Sequence, residues 1–140
     1  MKCILALILA VAAVGSAATA GSAKSTPTSG RLHVTKECSQ YQGTAGSFCT
    51  IVSANIPEIE PGMRVVYSSP LSDGILDSDI VLSSADGSAA GHVTLDVAKA
   101  KGRITFSGGT GTLEGFQADA KVSLDSSGAW HWDGSYSFSE

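Results

Sequence analysis

The chain has 140 residues, of which 43% are hydrophobic and 16% are charged, and its formal net charge at pH 7 is -4. An acidic chain without a cluster of Lys or Arg is a poor match for nucleic acid or an anionic membrane surface, so we expect neither as a partner. The length suits one domain with its own hydrophobic core and is too short for two.

The N-terminal residues have the pattern of a cleavable export signal. Lys2 is followed by an apolar run over residues 4–14, and small residues then lead to Ala-Thr-Ala at residues 18–20. A charged start, a short apolar run and an Ala-x-Ala site are typical of a secretory signal peptide. The apolar run is shorter than the roughly 20 residues that a membrane-spanning helix needs. We therefore predict removal of residues 1–20 and a mature protein that is secreted or periplasmic, with no membrane insertion.

Residues 21–30 are small and polar and include a proline, which predicts a flexible N-terminal segment ahead of one domain over residues 31–140. In that domain, short runs rich in Val, Ile, Thr, Phe and Tyr alternate with Gly, Asp, Ser and Pro, a pattern typical of strands and turns. The sequence predicts eight strands and no helix. The predicted strands cover residues 31–37, 48–55, 63–69, 76–84, 89–98, 102–107, 116–124 and 129–138.

Three of these runs alternate apolar and polar side chains, as half-buried strands do. The apolar members are Val93, Leu95 and Val97 in the fifth run, Ala118, Ala120, Val122 and Leu124 in the seventh, and Trp130, Trp132, Tyr136 and Phe138 in the last. Short connections between such strands favour an antiparallel meander. The alternation leaves open whether the meander closes into a barrel or folds into a sandwich.

Two cysteines follow the predicted signal, Cys38 and Cys49. Disulfides persist in the compartments that exported proteins reach, so we predict that the two cysteines pair with each other. Closing a loop this short should stabilise the fold by roughly 2–3 kcal/mol. With His33 as a lone neighbour they fall short of the usual four-ligand metal set. We predict neither a metal site nor any other cofactor.

The sequence has few other patterns that are typical of metal sites or catalytic sites. The three histidines are far apart in the sequence, and the alternation places His92 and His131 on the solvent side. The acidic residues between Asp73 and Asp79 miss the spacing of a calcium loop, so we interpret them as a solvated turn. A Gly-x-Ser-x-Gly nucleophile elbow is missing, which disfavours a hydrolase.

Residues 104–124 read ITFSGGTGTLEGFQADAKVSL. This segment resembles one in plant allene oxide cyclases and, more loosely, in dirigent proteins, where a Gly-Gly-Ser/Thr-Gly turn and an apolar-Glu-Gly sequence separate two strands. The matching positions are Gly108, Gly109, Thr110, Gly111, Leu113, Glu114, Gly115 and Phe116. A weaker similarity to bacterial members covers residues 49–67. The chain thus resembles a bacterial secreted member of the allene oxide cyclase barrel-like superfamily.

The resemblance implies an all-β fold, an eight-stranded antiparallel up-and-down barrel of calycin-like form around an apolar cavity. Plant members cyclise or guide a bound intermediate, and the plant cyclases place a carboxylate, an Asn and a Tyr at the cavity. By residue type alone, Glu37, Asn55 and Tyr67 are weak catalytic candidates, and Glu114 matches a position of the motif itself. Members of the superfamily are often dimers or trimers. The resemblance therefore leaves open whether this chain forms a homo-oligomer.

The Gly-rich positions are interpreted as structural. Gly108, Gly109 and Gly111 allow positive φ angles and close backbone approach, so the chain can reverse tightly at a barrel rim. A phosphate-binding loop would need a following helix to present its amide groups, and no helix-forming run follows residue 111.

An aromatic face on the last strand is the largest apolar feature of the sequence. With small residues beside it on the seventh strand, it is the predicted ligand-binding surface, made of Trp130, Trp132, Tyr136, Phe138, Ala118 and Ala120. The first hypothesis is a secreted barrel that holds a small hydrophobic ligand in its lumen. The alternatives are an isomerase or cyclase like those of the similar family, and a structural cell-envelope protein with a filled barrel. Whether the protein is an enzyme stays open.

Overall fold

The computed structural model describes residues 28–139, so the predicted signal and most of the predicted flexible segment lie outside the described residues. Eight strands form one closed antiparallel barrel in which each strand pairs with the next and the last pairs with the first. The predicted all-β, eight-stranded up-and-down barrel is confirmed. The strands are β1 Ser29–Glu37, β2 Phe48–Ala54, β3 Arg64–Tyr67, β4 Ile75–Ser84, β5 Gly87–Asp96, β6 Lys101–Gly111, β7 Phe116–Leu124 and β8 Trp130–Phe138.

Within residues 28–139, the structure contains no helix that is long and apolar enough to cross a membrane.

Strand β6 is longer than the sequence predicts, because it continues through the glycines to Gly111. Gly109 pairs with Ala89, and Gly111 pairs with Gly87, on the neighbouring strand β5. The turn predicted at residues 108–111 is therefore wrong in its position, and the chain reverses over residues 112–115. Backbone hydrogen bonds do not require a side chain, so a glycine run can continue a ladder where close approach excludes a Cβ.

Aromatic side chains fill the middle of the lumen. Phe106 lies against Trp132 and Phe116, with ring centroids 5.5 and 5.4 Å apart, and Trp132 and Phe116 have no exposed surface. Alternate residues of the other strands complete this core, as the two-residue period of a strand requires.

One end of the barrel is closed by side chains from its connections. Ile56, Ile59 and Met63 from the β2–β3 connection and Leu113 from the β6–β7 turn are all buried there. The Gly-rich part of β6 lies at this same end, which we call the closed end. The connections β1–β2, β3–β4, β5–β6 and β7–β8 lie at the opposite end.

The predicted Cys38–Cys49 disulfide is present, with the two Cα atoms 4.4 Å apart, and it joins the end of β1 to the start of β2. We expect peptide mapping of the unreduced protein to yield a Cys38–Cys49 cross-linked peptide. Replacing both cysteines with serine should lower the free energy of unfolding by roughly 2–3 kcal/mol, because the bond restricts the unfolded chain. Free thiols at both positions in protein from an oxidising compartment would contradict this assignment.

Candidate ligand-binding site

A lysine occupies an inward-facing position on β1. Lys36 follows Leu32 and Val34 at two-residue spacing, so its side chain enters the lumen, and only 3% of it is exposed. In the part of the chain that the structure describes, it is the one charged residue in the buried set. Lysines are almost never fully buried without a paired group, so this position needs an explanation.

The amine of Lys36 contacts aromatic groups and no carboxylate. Its Nζ donates a hydrogen bond to Tyr67 Oη and lies 5.1 Å from the Tyr67 ring centroid and 5.4 Å from that of Trp132. Tyr67 is itself buried, and its hydroxyl donates to Cys49 Sγ at 3.5 Å. The ion pairs formed among residues 28–139 all involve other side chains. An ammonium has three donors, so the charged form would be poorly compensated in this environment.

Burial changes the titration of both groups. Removal from water lowers the pKa of Lys36 to about 7, because the apolar surroundings disfavour the charged form. Burial also raises the pKa of the Tyr67 hydroxyl, with a smaller contribution from Tyr41. Near neutral pH, the pair therefore consists of a protonated phenol and a lysine that is about half neutral amine.

A cavity of about 340 Å³ opens beside this pair, at the end of the barrel opposite the closed end, which we call the Lys36 cavity. Its volume is at the lower limit of small-molecule sites, which typically span about 300–1,000 Å³. Its walls combine Lys36 and Tyr67 with mostly apolar side chains. Those apolar side chains include Leu71, Leu76, Leu95, Val97 and Trp130.

Tyr41, from the β1–β2 connection, also lines the Lys36 cavity. Its ring lies edge-on to Tyr67, with centroids 5.2 Å apart. Its hydroxyl oxygen is buried and has no hydrogen-bond partner among residues 28–139. A buried hydroxyl without a partner is unfavourable by roughly 1–3 kcal/mol.

The predicted ligand-binding residues do not form one surface. Trp130 lines the Lys36 cavity, whereas Trp132 and Ala120 are buried in the core. Phe138 packs on Phe116 with ring centroids 5.3 Å apart. The remaining two, Ala118 and Tyr136, line a separate depression beside β6, β7 and β8.

The four weak catalytic candidates are also separated. Tyr67 lines the Lys36 cavity. Glu37 accepts a hydrogen bond from the Ser39 amide at 2.8 Å, and hydrogen bonds from Ser39 lower its pKa. Asn55 caps backbone groups of β1, accepting from the His33 amide at 2.7 Å. Glu114 is exposed in the 112–115 turn. Only Tyr67 is thus placed to act on a molecule in the cavity.

The solvated turn predicted for the acidic residues is wrong for Asp77 and Asp79, which lie on β4 and pair with a histidine. His92 contacts Asp77 at 2.5 Å and Asp79 at 2.9 Å on the exposed face of β4 and β5. Hydrogen bonds that His92 donates to Asp79 and, with a smaller effect, to Asp77 raise the pKa of His92. Among residues 28–139, no group of three or more His, Cys, Asp or Glu side chains is placed to hold a metal ion.

The other two histidines, far apart in the sequence, meet on the outer face of β1 and β8. The rings of His33 and His131 are stacked, with centroids 5.6 Å apart. His33 pairs with Asp133, and His131 pairs with Asp125 at 2.5 Å. Hydrogen bonds from Ser127 and, with a smaller effect, from His131 hold the pKa of Asp125 well below its usual range.

Neither Lys36 nor Tyr41 was a predicted site residue. The signal for Lys36 lies in the β1 sequence itself, where Leu32, Val34 and Lys36 share one parity and should face the same side. The resemblance to allene oxide cyclases and dirigent proteins stays a prediction. Comparison of the chain with protein-family models, with curated proteins and with solved structures returned no match.

Proposed function

We propose that the protein binds one small, mostly apolar molecule with a single polar head group in the Lys36 cavity. The observation that carries this proposal is the lone buried lysine in the wall of an otherwise largely apolar cavity. Ligand sites typically combine apolar walls with a few polar groups that fix orientation. Lys36, Tyr67 and Tyr41 are those polar groups here.

The polar groups of the cavity lack partners that a ligand would supply. Lys36 has one hydrogen-bond acceptor, and the Tyr41 hydroxyl has none among the described residues. A ligand oxygen near both would compensate them, while its apolar part would contact Leu71, Val97 and Trp130. Burial of that apolar part stabilises the complex by about 25 cal/mol per Å² removed from water, before the cost of association.

The proposal places the ligand at one end of the barrel and not throughout the lumen. The aromatic core around Trp132 and Phe116 leaves these side chains no exposed surface, so the middle of the barrel offers no room. A structural role with a filled barrel would explain that core, but it would not explain the lysine beside the cavity. A cyclase would have only Tyr67 of its predicted residues at the cavity.

We also propose that the protein works after export, in an oxidising compartment. The Cys38–Cys49 disulfide supports this location, because such bonds are rare in reducing compartments. Both cysteines line the cavity, and the bond joins the segment that carries Lys36 and Tyr41 to the start of β2. Its loss should therefore loosen the site as well as the fold.

Tryptophan fluorescence tests the binding proposal, because the chain has two tryptophans and only Trp130 lines the Lys36 cavity. We expect titration with 1-hexanol, or with other short-chain alcohols, to shift the emission of the full chain in a saturable way. The Trp130→Phe variant should bind but lose most of this response. An unchanged emission across the alcohol series, or the same response in Trp130→Phe, would contradict the proposed site.

A further inference from the structure

We propose that Lys36 is a nucleophile and that the Lys36 cavity takes a small apolar aldehyde, which it holds as an imine on Nζ. This inference rests on the proposed function, since it names the ligand class for the same cavity. It starts from the position of the amine, which is buried in the cavity wall with aromatic groups around it.

Lys36 differs from the other lysines that the structure describes. Lys99, Lys101 and Lys121 are exposed to solvent. A lysine with a pKa of about 7 is about half neutral at pH 7, whereas one at 10.5 is neutral in about 1 molecule in 3,000. Desolvation in a hydrophobic pocket is a known way to activate a lysine for attack on a carbonyl.

The atoms and protons of imine formation balance between the Lys36 amine and the aldehyde. The Nζ lone pair forms a bond to the carbonyl carbon, and the carbonyl oxygen takes up a proton while nitrogen releases one, giving a carbinolamine. The hydroxyl then leaves as water after taking a second proton, and nitrogen releases its remaining proton as the C=N bond forms. The net change is one amine and one aldehyde converted to one imine and one water, with no oxidant or reductant.

Tyr67 is placed to supply protons to the oxygen in these steps. Its hydroxyl is hydrogen-bonded to Nζ, and its raised pKa keeps it protonated at neutral pH. The proton that nitrogen releases can replace the one that Tyr67 donates, so Tyr67 ends unchanged.

An aldehyde fits this wall better than a carboxylate does. A bound carboxylate would need the ammonium form of Lys36, which places two charges in apolar surroundings with few other polar groups. An aldehyde is uncharged and reacts with the neutral amine that burial favours. The cavity volume of about 340 Å³ limits the ligand to a small molecule.

Trapping with sodium cyanoborohydride tests the inference directly. The full chain is incubated with hexanal and the reductant at pH 7, and the adduct is located by peptide mass spectrometry. We expect one dominant hexyl adduct, on Lys36, with a rate that saturates in hexanal and falls when 1-hexanol competes. Lys36→Met should lose this adduct, Lys121→Met should keep it, and Tyr67→Phe should slow its formation at least tenfold.

The pH profile separates an activated lysine from a merely accessible one. With the reductant in enough excess that imine formation limits the rate at each pH, the adduct rate at Lys36 should rise about twofold from pH 7 to 9, because its neutral fraction rises from about half to nearly all. A free lysine amine in solution, with a pKa of about 10.4, should react about 100-fold faster at pH 9 than at pH 7. Adducts distributed over the exposed lysines, or a tenfold rise per pH unit at Lys36, would overturn the inference.

The two measurements distinguish a failure of the imine proposal from a failure of the proposed binding function. If 1-hexanol shifts the Trp130 emission but hexanal leaves no adduct on Lys36, the imine is overturned and the proposed binding function stands. If neither compound changes the emission and no adduct forms, both proposals are contradicted.

Discussion

Replacing Lys36 with methionine should raise the free energy of unfolding by about 3 kcal/mol at pH 7. Full burial of the lysine lowers its pKa from 10.5 to about 7, and moving it into the fold at pH 7 is unfavourable by on the order of 4 kcal/mol. Methionine fills a similar volume without a charge. The lost hydrogen bond to Tyr67 offsets about 1 kcal/mol of the gain.

The pH dependence of this gain follows from the direction of the shift. Between the folded and unfolded pKa values of Lys36, about 7 and 10.5, the unfolded chain binds more protons, so raising the pH stabilises the native protein. The unfavourable contribution is constant below about pH 7 and disappears above about 10.5. The advantage of Lys36→Met should therefore fall to about 1 kcal/mol at pH 9.

Urea unfolding of the full chain and of Lys36→Met, at pH 7 and at pH 9, measures both quantities. Lys121→Met is the matched control, because this lysine is exposed on β7 and its loss should change stability by less than about 0.5 kcal/mol at either pH. A Lys36→Met protein less stable than the parent at pH 7, or a gain that does not change with pH, would show that Lys36 is not a desolvated amine.

Gly109→Ala and Gly111→Ala should each lower the free energy of unfolding by about 3 kcal/mol or more. A Cβ on Gly109 would collide with the carbonyl oxygens of Ser88 and Leu113, and one on Gly111 with the carbonyl oxygen of Asp86. Gly111 also has a φ of +58°, a conformation that L side chains rarely adopt. Backbone atoms of paired strands cannot move aside cheaply, so the ladder itself must shift.

Gly30→Ala on β1 is the control for these variants. Its Cβ would meet only the Tyr136 side chain, at 3.4 Å, so its melting temperature should change little. Thermal unfolding should show Gly109→Ala and Gly111→Ala melting about 10 °C or more below the parent. If their melting temperatures were unchanged and binding of a phosphorylated ligand were lost, the glycines would be a binding loop after all.

The strands could be predicted from sequence because alternation is a local property. The β7 sequence places Ala120 and Val122 on the buried side, and its predicted range of 116–124 matches the observed strand. The disulfide could also be predicted from the sequence, because Cys38 and Cys49 are the cysteines that follow the predicted signal. Closure into a barrel depended on the family resemblance, since a two-residue period is the same in a barrel and in a sandwich.

The end of β6 could not be predicted from residue type. Glycine is commonest in turns, and whether Gly109 continues a strand depends on its pairing with Ala89 across the sheet. The histidine pairs on the outer face also depend on strand pairing, which residue type does not predict. Thr35 lies opposite His131, and His33 lies opposite Asp133, only because β8 closes the barrel onto β1.

The candidate site was predictable in part. Of the aromatic residues of β8, Trp130 lines the Lys36 cavity, whereas Trp132 packs against Phe106 in the core and Tyr136 lines a separate depression. The alternation of β1 predicts that Lys36 faces the lumen. Its importance depends on what surrounds it, and the approach of Tyr67 from β3 is set by long-range pairing.

Methyl NMR of the full chain, titrated with 1-hexanol, tests most directly whether the Lys36 cavity is the binding site. We expect saturable shifts in the methyl signals of Leu71, Leu76 and Leu95, which line the cavity. Methyls at the closed end, such as Leu113 and Ile59, should not move. Shifts confined to the closed end, or no saturable shift in any methyl signal, would contradict a ligand site at Lys36.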